Sequence, residues 1–416
     1  MSIKHPSTKK PGVVTWIVFL ISIGVVIITI ASAIFPAMVL GSMNGFPKYP
    51  MSIDVYETGI LAYPITVTGA ITGILIILHA MKKLPSAFSK SIKSISNLEV
   101  SSRTATVAMI VILGAYVGFT AGEIFQGEQW EDYKRMVEPK LQAWSVDQFF
   151  QIRGNPLSYF LLTTSMSVFG NYKVLAFVSS IALSILVYFI TYAMSGKRLA
   201  GLVSLGIVLS STIFLTYDTS ITYPSFWVLF YLLSLFTVYR AWPLSPFFFM
   251  LAILSKPLSV LFIPMTLFYI YRSEISQKKK IMITIPYGII LASVVLMPYF
   301  SNVSFTNNIT FDSHQFWSGF TAVASQFRFD WFILVFLLPL VVGLFMLARN
   351  GIRHAESAMA LILGMLLLAP IISGLSTYTN NPYRFVPLVV FFAMGVGMVF
   401  SSRVNQAGVS QSSEQS

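Results

Sequence analysis

The composition of this 416-residue chain is that of a membrane protein. Hydrophobic residues make up 56% of the chain and charged residues only 10%, whereas soluble domains average about 25% charged residues. Too little charge is present to cover a water-exposed surface, which excludes a soluble enzyme, a disordered chain and a nucleic-acid-binding module. The formal net charge is +12 and cysteine is absent, so disulfides, thiolate metal sites and cysteine nucleophiles are excluded as well. We therefore expect an all-α polytopic membrane protein.

Apolar runs along the chain predict about 12 transmembrane helices. A bilayer core of about 30 Å needs roughly 20 apolar residues per helix. The stretch 243–271 is interrupted by Ser255-Lys256-Pro257. Because proline breaks the helical hydrogen-bond ladder, we expect two short helices that meet near Lys256. The ten clear runs lie at about 13–36, 59–81, 104–122, 172–195, 199–216, 221–239, 280–299, 329–348, 357–375 and 384–401.

The basic residues between these runs predict which side of the membrane each turn faces. Cytoplasmic loops carry an excess of Lys and Arg, so we assign the turns at Lys197-Arg198, Arg240, Arg272 and Arg349 to the cytoplasm. Arg240 and Arg272 can both face the cytoplasm only if an even number of crossings separates them, as two short helices would provide. With both termini inside, eighteen of the 27 basic residues are cytoplasmic, against four acidic residues.

The predicted spans divide the chain into three parts. Residues 1–103 form an N-terminal extension of two helices followed by a basic cytoplasmic linker. Residues 104–401 form a transmembrane core, and residues 402–416 form a polar cytoplasmic tail. We expect two long loops of the core, 123–171 and 300–328, on the extracytoplasmic side.

The loop 123–171 concentrates the scarce acidic residues. Six of the 15 acids of the chain fall within 25 residues and are interleaved with aromatic side chains, a mixture typical of helices in the headgroup layer. The apolar stretch Pro156–Phe169 is too short for a span, and we expect it to form an interfacial amphipathic helix. The alternative is a solvated connector whose acids only keep it hydrated. The six acids are Glu123, Glu128, Glu131, Asp132, Glu138 and Asp147.

Lys256 and Arg384 are the two cations predicted at the extracytoplasmic ends of apolar helices. A charge near the hydrocarbon boundary costs free energy and is a functional hypothesis by default. The alternative is that both long side chains reach outward to the lipid headgroups. A function is favoured because the acids of the loop and these two cations would share one extracytoplasmic cavity.

Acids and cations in one such cavity suit sugar transfer from a lipid-linked donor. The leaving group is a lipid phosphate or diphosphate, which needs Lys or Arg to bind it and to stabilise its developing charge. The acceptor hydroxyl loses a proton as it attacks, so a carboxylate must stand opposite the phosphate. An anionic neighbour also stabilises the oxocarbenium-like transition state.

Five short motifs follow one another along residues 104–401. They are Glu128 and Glu131-Asp132 before Tyr133; Asn155-Pro156-Leu157-Ser158-Tyr159 leading to Phe169-Gly170; Gly196-Lys197-Arg198-Leu199-Ala200-Gly201; Leu254-Ser255-Lys256-Pro257; and Arg384-Phe385-Val386-Pro387. In this order the motifs resemble those of the C-class integral-membrane glycosyltransferases, in particular the branch of protein O-mannosyltransferases and lipid A aminoarabinose transferases. Asn155 stands where that family has His or Lys before the proline, and Arg153 is the nearby cation that could replace it.

The resemblance implies an enzyme that transfers a hexosyl or pentosyl group from a polyprenyl-phosphate donor to a protein, glycan or lipid acceptor. It implies that Glu131, Asp132 or Glu128 is the base that takes the acceptor proton, with Glu131 and Asp132 favoured because they lie nearest Tyr133. By the same resemblance, the donor phosphate would contact Lys256, Arg384 and Arg153, while Tyr133, Asn155, Pro156 and Tyr159 would belong to the loop and the interfacial helix.

Other functions stay open at this point. A transporter or lipid flippase would suit the interrupted stretch 243–271, because transporters place broken helices at their binding sites. The other spans carry almost no charge, however, and the two halves show no internal repeat. A non-catalytic membrane subunit is the third reading. Some members of the resembled family hold a divalent cation on loop carboxylates, and an oxygen-liganded ion could sit on Glu128 and Asp132, but the spacing does not require one and we predict no metal site.

Overall fold

The structure is a computed structural model, and all the regular secondary structure in the part of the chain that it describes is helical. The described residues are 12–40, 54, 56–81, 83–86, 90, 94, 97–145, 155–300, 311–375 and 381–401, and none of them forms a β-strand. Arg153 and the predicted tail 402–416 lie outside the described residues.

The described part of the first half of the chain contains the ten α-helices given below and two irregular turns. A 3₁₀ turn, Ala121–Phe125, extends α4, and a π-helical turn, Tyr133–Val137, precedes α5. The helices are α1 (Val13–Ile34), α2 (Pro36–Leu40), α3 (Ala62–Ala80), α4 (Ser102–Thr120), α5 (Glu138–Gln142), α6 (Pro156–Phe169), α7 (Lys173–Ser195), α8 (Arg198–Leu209), α9 (Thr212–Tyr217) and α10 (Phe226–Arg240).

Among its described residues, the second half of the chain forms seven α-helices. Two 3₁₀ turns, Pro257–Phe262 and Pro382–Phe385, lead directly into the helices that follow them. These helices are α11 (Leu244–Ser255), α12 (Ile263–Arg272), α13 (Gln277–Phe300), α14 (Ser313–Gln326), α15 (Trp331–Arg349), α16 (Arg353–Leu375) and α17 (Val386–Val399).

Seven helical segments in the described part of the chain are long and apolar enough to cross a membrane. The prediction of a helical integral membrane protein is supported by these segments, since each supplies the roughly 20 apolar residues that a bilayer core requires. Four shorter apolar helices accompany them. The seven long segments are Val13–Ile34, Ala62–His79, Ser102–Phe125, Lys173–Ser195, Trp331–Arg349, Arg353–Leu375 and Pro382–Val399.

The stretch 243–271 forms two short helices that meet at Lys256, as the proline at position 257 predicted. Helix α11 ends at Ser255, the backbone of Lys256 is extended, and the chain resumes as a 3₁₀ turn at Pro257. The rings of Tyr239 in α10 and Tyr269 in α12 are 5.8 Å apart. Helices α10 and α12 therefore finish at the same end of the bundle, and Lys256 lies at the other end.

Small residues let the central helices approach closely. A side chain at Gly397 of α17 would clash with Ser204 of α8 and with Thr191 of α7. At the same contact the Ser204 hydroxyl donates a hydrogen bond of 2.8 Å to the carbonyl of Ala393. Small residues and interhelical hydroxyl bonds are how apolar helices associate without a hydrophobic driving force, so α7, α8 and α17 form the tight centre of the bundle.

The N-terminal helix α1 is fastened to this bundle by a buried carboxylate. Glu356 in the first turn of α16 accepts a hydrogen bond of 2.5 Å from the Thr15 hydroxyl of α1 and forms an ion pair with Arg272 at the end of α12. The Glu356 side chain is only 2% exposed and that of Arg272 is 19% exposed. One carboxylate thus joins α1, α12 and α16 at the end of the bundle opposite Lys256.

We expect Glu356→Gln to lower the free energy of unfolding by about 3–5 kcal/mol, because it leaves the half-buried Arg272 charge without its partner. Equilibrium unfolding in mixed detergent micelles measures this loss. The matched control is Glu131→Gln, which removes the partner of Arg135 from an ion pair whose side chains are 80% and 73% exposed. That control should change stability by less than about 1 kcal/mol, and equal losses in both variants would contradict the role of Glu356.

Candidate functional site

Five side chains from four separate segments meet at the Lys256 end of the bundle. Asp132 precedes the π-helical turn, Tyr223 lies between α9 and α10, and Lys256 lies at the break after α11. Tyr383 and Arg384 belong to the 3₁₀ turn that begins α17. We call these five residues the Lys256 cluster.

Two stacked tyrosines form the centre of the Lys256 cluster. The rings of Tyr223 and Tyr383 have centroids 4.0 Å apart and planes inclined by 11°. The Tyr223 hydroxyl donates a hydrogen bond of 2.5 Å to Oδ2 of Asp132. Burial, together with this bond and the Asp132 charge, raises the pKa of Tyr223, so Tyr223 keeps its proton and remains the donor. The stack therefore links the segment of Asp132 to the start of α17.

Two cations flank the Tyr383 ring. The Lys256 ammonium lies 3.8 Å from the ring centroid of Tyr383 and 5.1 Å from that of Trp227, both within cation–π distance. The Arg384 guanidinium carbon lies 5.8 Å from the Tyr383 centroid, and its Nε donates a hydrogen bond of 3.3 Å to the Tyr383 hydroxyl.

The two cations of the cluster are suited to hold an anion. Burial, and then the positive charge of Arg384, lower the pKa of Lys256 well below its usual range. Among the described residues neither cation forms an ion pair with a carboxylate. A negatively charged group bound between them would relieve their repulsion and supply the missing partner.

Helix α6 brings the predicted interfacial motif to this cluster. The Ser158 hydroxyl donates a hydrogen bond of 2.9 Å to the carbonyl of Ser255, immediately before Lys256. Pro156 is the first residue of α6, and the carbonyl of Asn155 accepts a hydrogen bond from the backbone N–H of Tyr159. The beginning of α6 thus lies beside the break in the chain at Lys256.

The segment after Asp132 packs on α6. Tyr159 is buried in an apolar group together with Val137 and Leu141, and Tyr133 packs against the same group. These contacts hold the π-helical turn and α5 against α6, and so determine the direction from which Asp132 reaches Tyr223. Tyr133 and Tyr159 are supporting residues of the cluster in this arrangement.

Glu128 is an anchor rather than a free carboxylate. Its oxygens accept hydrogen bonds from the Ser220 hydroxyl at 2.9 Å, the Ile221 N–H at 3.0 Å and the Thr222 hydroxyl at 3.1 Å. The Lys173 ammonium lies 3.9 Å away, and both side chains are almost fully buried. Glu128 therefore fastens the loop before Asp132 to the loop that carries Tyr223.

Glu131 lies outside the cluster. Its side chain is 80% exposed and forms an ion pair with Arg135 at 3.5 Å. Of the three acids considered from the sequence, Asp132 is the one bonded to Tyr223, whose ring stacks on the Tyr383 ring that the two cations flank.

Glu128 and Asp132, the two carboxylates considered for a metal ion, both have protein hydrogen-bond donors. Both oxygens of Glu128 are engaged by protein donors, and Asp132 is bonded to Tyr223. In the described part of the chain, no three His, Asp or Glu side chains lie close enough to hold a metal ion.

A further carboxyl group, Asp218, lies buried behind Tyr217 and was not selected from the sequence. The Tyr116 hydroxyl of α4 donates a hydrogen bond of 2.6 Å to its Oδ2. Asp218 lies in the turn after α9, outside the long apolar helices. Burial raises its pKa to about 7, the Glu123 charge adds to the rise, and the bond from Tyr116 opposes it.

The sequence contains one weak signal for the residues that were missed. Tyr217-Asp218-Thr219-Ser220-Ile221-Thr222-Tyr223 is a polar and aromatic run between two apolar helices. Tyr383 directly precedes Arg384, but the ring stacking that makes it important depends on a partner 160 residues earlier.

Comparisons with known proteins identify no relative, since no protein-family model, curated protein or solved structure matches the chain.

The raised pKa of Asp218 predicts a pH dependence of stability. An unfolded aspartate titrates near pH 3.9, so between about pH 4 and pH 7 the folded chain holds a proton that the unfolded chain lacks. The stabilisation is complete below about pH 4 and is lost as the pH rises towards 7. We expect the melting temperature of the wild type to fall over this interval by more than that of Asp218→Asn, measured in the same detergent. If the melting temperatures of the two proteins fall equally with pH, the raised pKa of Asp218 is contradicted.

Proposed function

We propose that this chain is a membrane glycosyltransferase that moves a sugar from a polyprenyl-phosphate-linked donor to an acceptor hydroxyl. The observation that carries the proposal is the Lys256 cluster. It combines a carboxylate, Asp132, with a cation pair, Lys256 and Arg384, that has no carboxylate partner in the described part of the chain.

The cation pair suits the leaving group of this reaction. A lipid phosphate gains negative charge on its bridging oxygen as the sugar departs, and preorganised cations stabilise such a charge most effectively in a water-poor site. Lys256 is held over the Tyr383 ring and Arg384 is bonded to the hydroxyl of the same ring. Both side chains are thus oriented before any donor arrives, and the aromatic contacts compensate part of the desolvation of their charged forms.

Asp132 suits the role of the base. Its Oδ2 accepts the Tyr223 bond, which orients the carboxylate, while its Oδ1 has no hydrogen-bond partner among the described residues and is available to an acceptor hydroxyl. In the proposed step the bond between the anomeric carbon and the phosphate oxygen breaks, and its electron pair passes to that oxygen. The acceptor oxygen forms the new bond to the anomeric carbon, and its proton passes to Asp132.

We infer twelve membrane crossings, with both termini in the cytoplasm and the Lys256 cluster on the extracytoplasmic side. The return of α10 and α12 to one end supports the even number of crossings between Arg240 and Arg272. Helix α6 would lie at the membrane interface. The twelve crossings are the seven long segments, the shorter helices Arg198–Leu209, Phe226–Arg240, Leu244–Ser255 and Pro257–Arg272, and Gln277–Phe300.

A lipid flippase is the second function that the cation pair would serve. Its binding of a lipid phosphate would use Lys256 and Arg384 in the same way, but it would not need a carboxylate opposite them. The bond between Tyr223 and Asp132 therefore favours the transferase, and so does the resemblance of the five motifs to the C-class glycosyltransferases.

We expect Asp132→Asn to lower the turnover of sugar transfer by about 10²–10⁴-fold, the usual contribution of a general base. The measurement follows transfer of labelled sugar from polyprenyl-phosphate hexoses and pentoses, each tested as donor in proteoliposomes. Glu131→Gln is the matched control, because it neutralises the adjacent but exposed carboxylate and should retain wild-type turnover. Unchanged transfer in Asp132→Asn would show that the base is assigned wrongly.

Lys256→Gln and Arg384→Gln should each weaken binding of undecaprenyl phosphate by about 10–100-fold, because each removes a charged donor to the phosphate. Native mass spectrometry or a lipid-binding titration measures the affinity. Arg328→Gln is the control, since Arg328 is an exposed arginine that contacts Phe329 rather than the cluster. If Lys256→Gln and Arg384→Gln bind undecaprenyl phosphate as tightly as the Arg328→Gln control and the wild type, the proposed phosphate site and the proposed donor are both contradicted.

A further inference from the structure

A polar cavity of about 370 Å³ adjoins the Lys256 cluster and has no role in the steps described above. Its walls include Glu123, Gln126, Gln129, Trp130, Thr216 and Thr219. We call it the Trp130 cavity. Its volume falls within the range of small-molecule sites, about 300–1,000 Å³.

Trp130 lines the cavity and also packs against Tyr223, the hydrogen-bond partner of the proposed base. The Trp130 ring lies 5.7 Å from the ring of Tyr223, which is bonded to Asp132, and 5.0 Å from the ring of Tyr217, on which it stacks. Trp130 also precedes Asp132 by only two residues. A ligand in the cavity would therefore lie one aromatic side chain away from Tyr223 and its carboxylate partner.

The walls of the Trp130 cavity are chemically suited to hydroxyl groups. Gln126 and Gln129 each offer an amide that can donate and accept, and Thr216 and Thr219 offer hydroxyls. Two charged residues of the lining, Glu128 and Lys173, are paired with each other. Glu123 is the remaining carboxylate in the wall, and its one bond is a long contact of 3.5 Å from the Thr219 hydroxyl. Carboxylate and amide oxygens accept readily from sugar hydroxyls, whereas the Glu123 charge would repel a phosphate.

The same walls are poorly suited to a peptide or a lipid chain. Extended peptides commonly bind along a sheet edge, and helical peptides bind in an apolar groove. The lining of the cavity provides neither a sheet edge nor an apolar groove. A lipid chain would need apolar walls, but Trp130 and Leu215 are the apolar members of this lining. A ligand with several hydroxyls and a compact ring is the class that uses amides, a carboxylate and an aromatic surface together.

We propose that the Trp130 cavity binds the acceptor and that this acceptor is a glycan. This inference rests on the proposed function, because a bound glycan is an acceptor only if the protein transfers a sugar to it. In the bound state a sugar ring occupies the cavity, held by Gln126, Gln129 and Glu123, and the hydroxyl to be glycosylated extends past Trp130 to Asp132.

Direct binding tests the cavity without requiring transfer. The full chain is purified in a zwitterionic detergent, because sugar-headed detergents would themselves compete, and is titrated with methyl hexosides, methyl N-acetylhexosaminides and disaccharides. Tryptophan fluorescence and calorimetry report binding. The double variant Gln126→Ala/Gln129→Ala should weaken glycoside binding by about tenfold or more, as expected for two lost hydrogen bonds. Gln142→Ala, an exposed glutamine of α5, is the matched control and should bind like the wild type.

Transfer assays then separate the acceptor classes. With a labelled polyprenyl-linked donor, the glycosides should accept the label, while serine- or threonine-containing peptides and long-chain alcohols should not. The double variant should raise the KM for the glycoside and leave kcat and undecaprenyl phosphate binding unchanged, which a merely structural defect would not do.

The outcomes distinguish this inference from the function on which it rests. Label transferred to peptides or alcohols, with no glycoside accepted or bound, would overturn the glycan acceptor while leaving the transferase intact. Glycoside binding that the double variant weakens, with no transfer to any acceptor, would support the cavity as a glycan site and remove the transferase. Glycoside affinities that are equal in the wild type and the double variant would overturn the assignment of the cavity.

Discussion

The stack of Tyr223 on Tyr383 is the contact on which the candidate site depends. Its rings lie 4.0 Å apart and come from chain segments separated by 160 residues. On one side the Tyr223 hydroxyl holds Asp132, and on the other the Tyr383 ring holds Lys256 while its hydroxyl accepts from Arg384. Without the stack, the carboxylate and the cations would lie on separate loops, and nothing would hold them in one site.

Charges are scarce in this chain, and several of those buried inside the bundle are held by partners from other segments. Glu356 pairs with Arg272, and Glu128 pairs with Lys173 while accepting three hydrogen bonds. Asp330 accepts from the Ser211 hydroxyl and from two N–H groups at the start of α9. Unpaired buried charge is costly, so these groups are explained by the fold that they fasten. Lys256 and Arg384 differ because their described neighbours are aromatic rings and a hydroxyl, and this difference marks them as the place where a ligand is expected.

The acidic group in the first long loop illustrates how far sequence reasoning reached. Glu128, Glu131 and Asp132 lie within five residues, and nearness to Tyr133 favoured Glu131 and Asp132 but could not separate those two. Adjacent residues of a helical turn point about 100° apart around its axis, and this rotation sends Glu131 to the surface and Asp132 towards Tyr223. Glu128 lies before the turn, where hydroxyls and N–H groups of the following loop surround it. Three similar carboxylates thus have three different surroundings: exposed, bonded to a tyrosine, and enclosed.

The amino-acid sequence by itself determined the helical membrane character of the protein and the break at Lys256. Hydropathy and proline act locally, through the cost of burying charge in lipid and the missing N–H of Pro257, and both can be recognised without knowing any neighbour. Only the tertiary structure decided that Asp132 rather than Glu131 is bonded to Tyr223, that the Tyr223 ring stacks on Tyr383 beside the two cations, and that Trp130 borders a polar cavity. Those facts depend on side chains from distant segments, and the packing of helices with nearly uniform apolar surfaces cannot be derived from the spacing of residues along one chain.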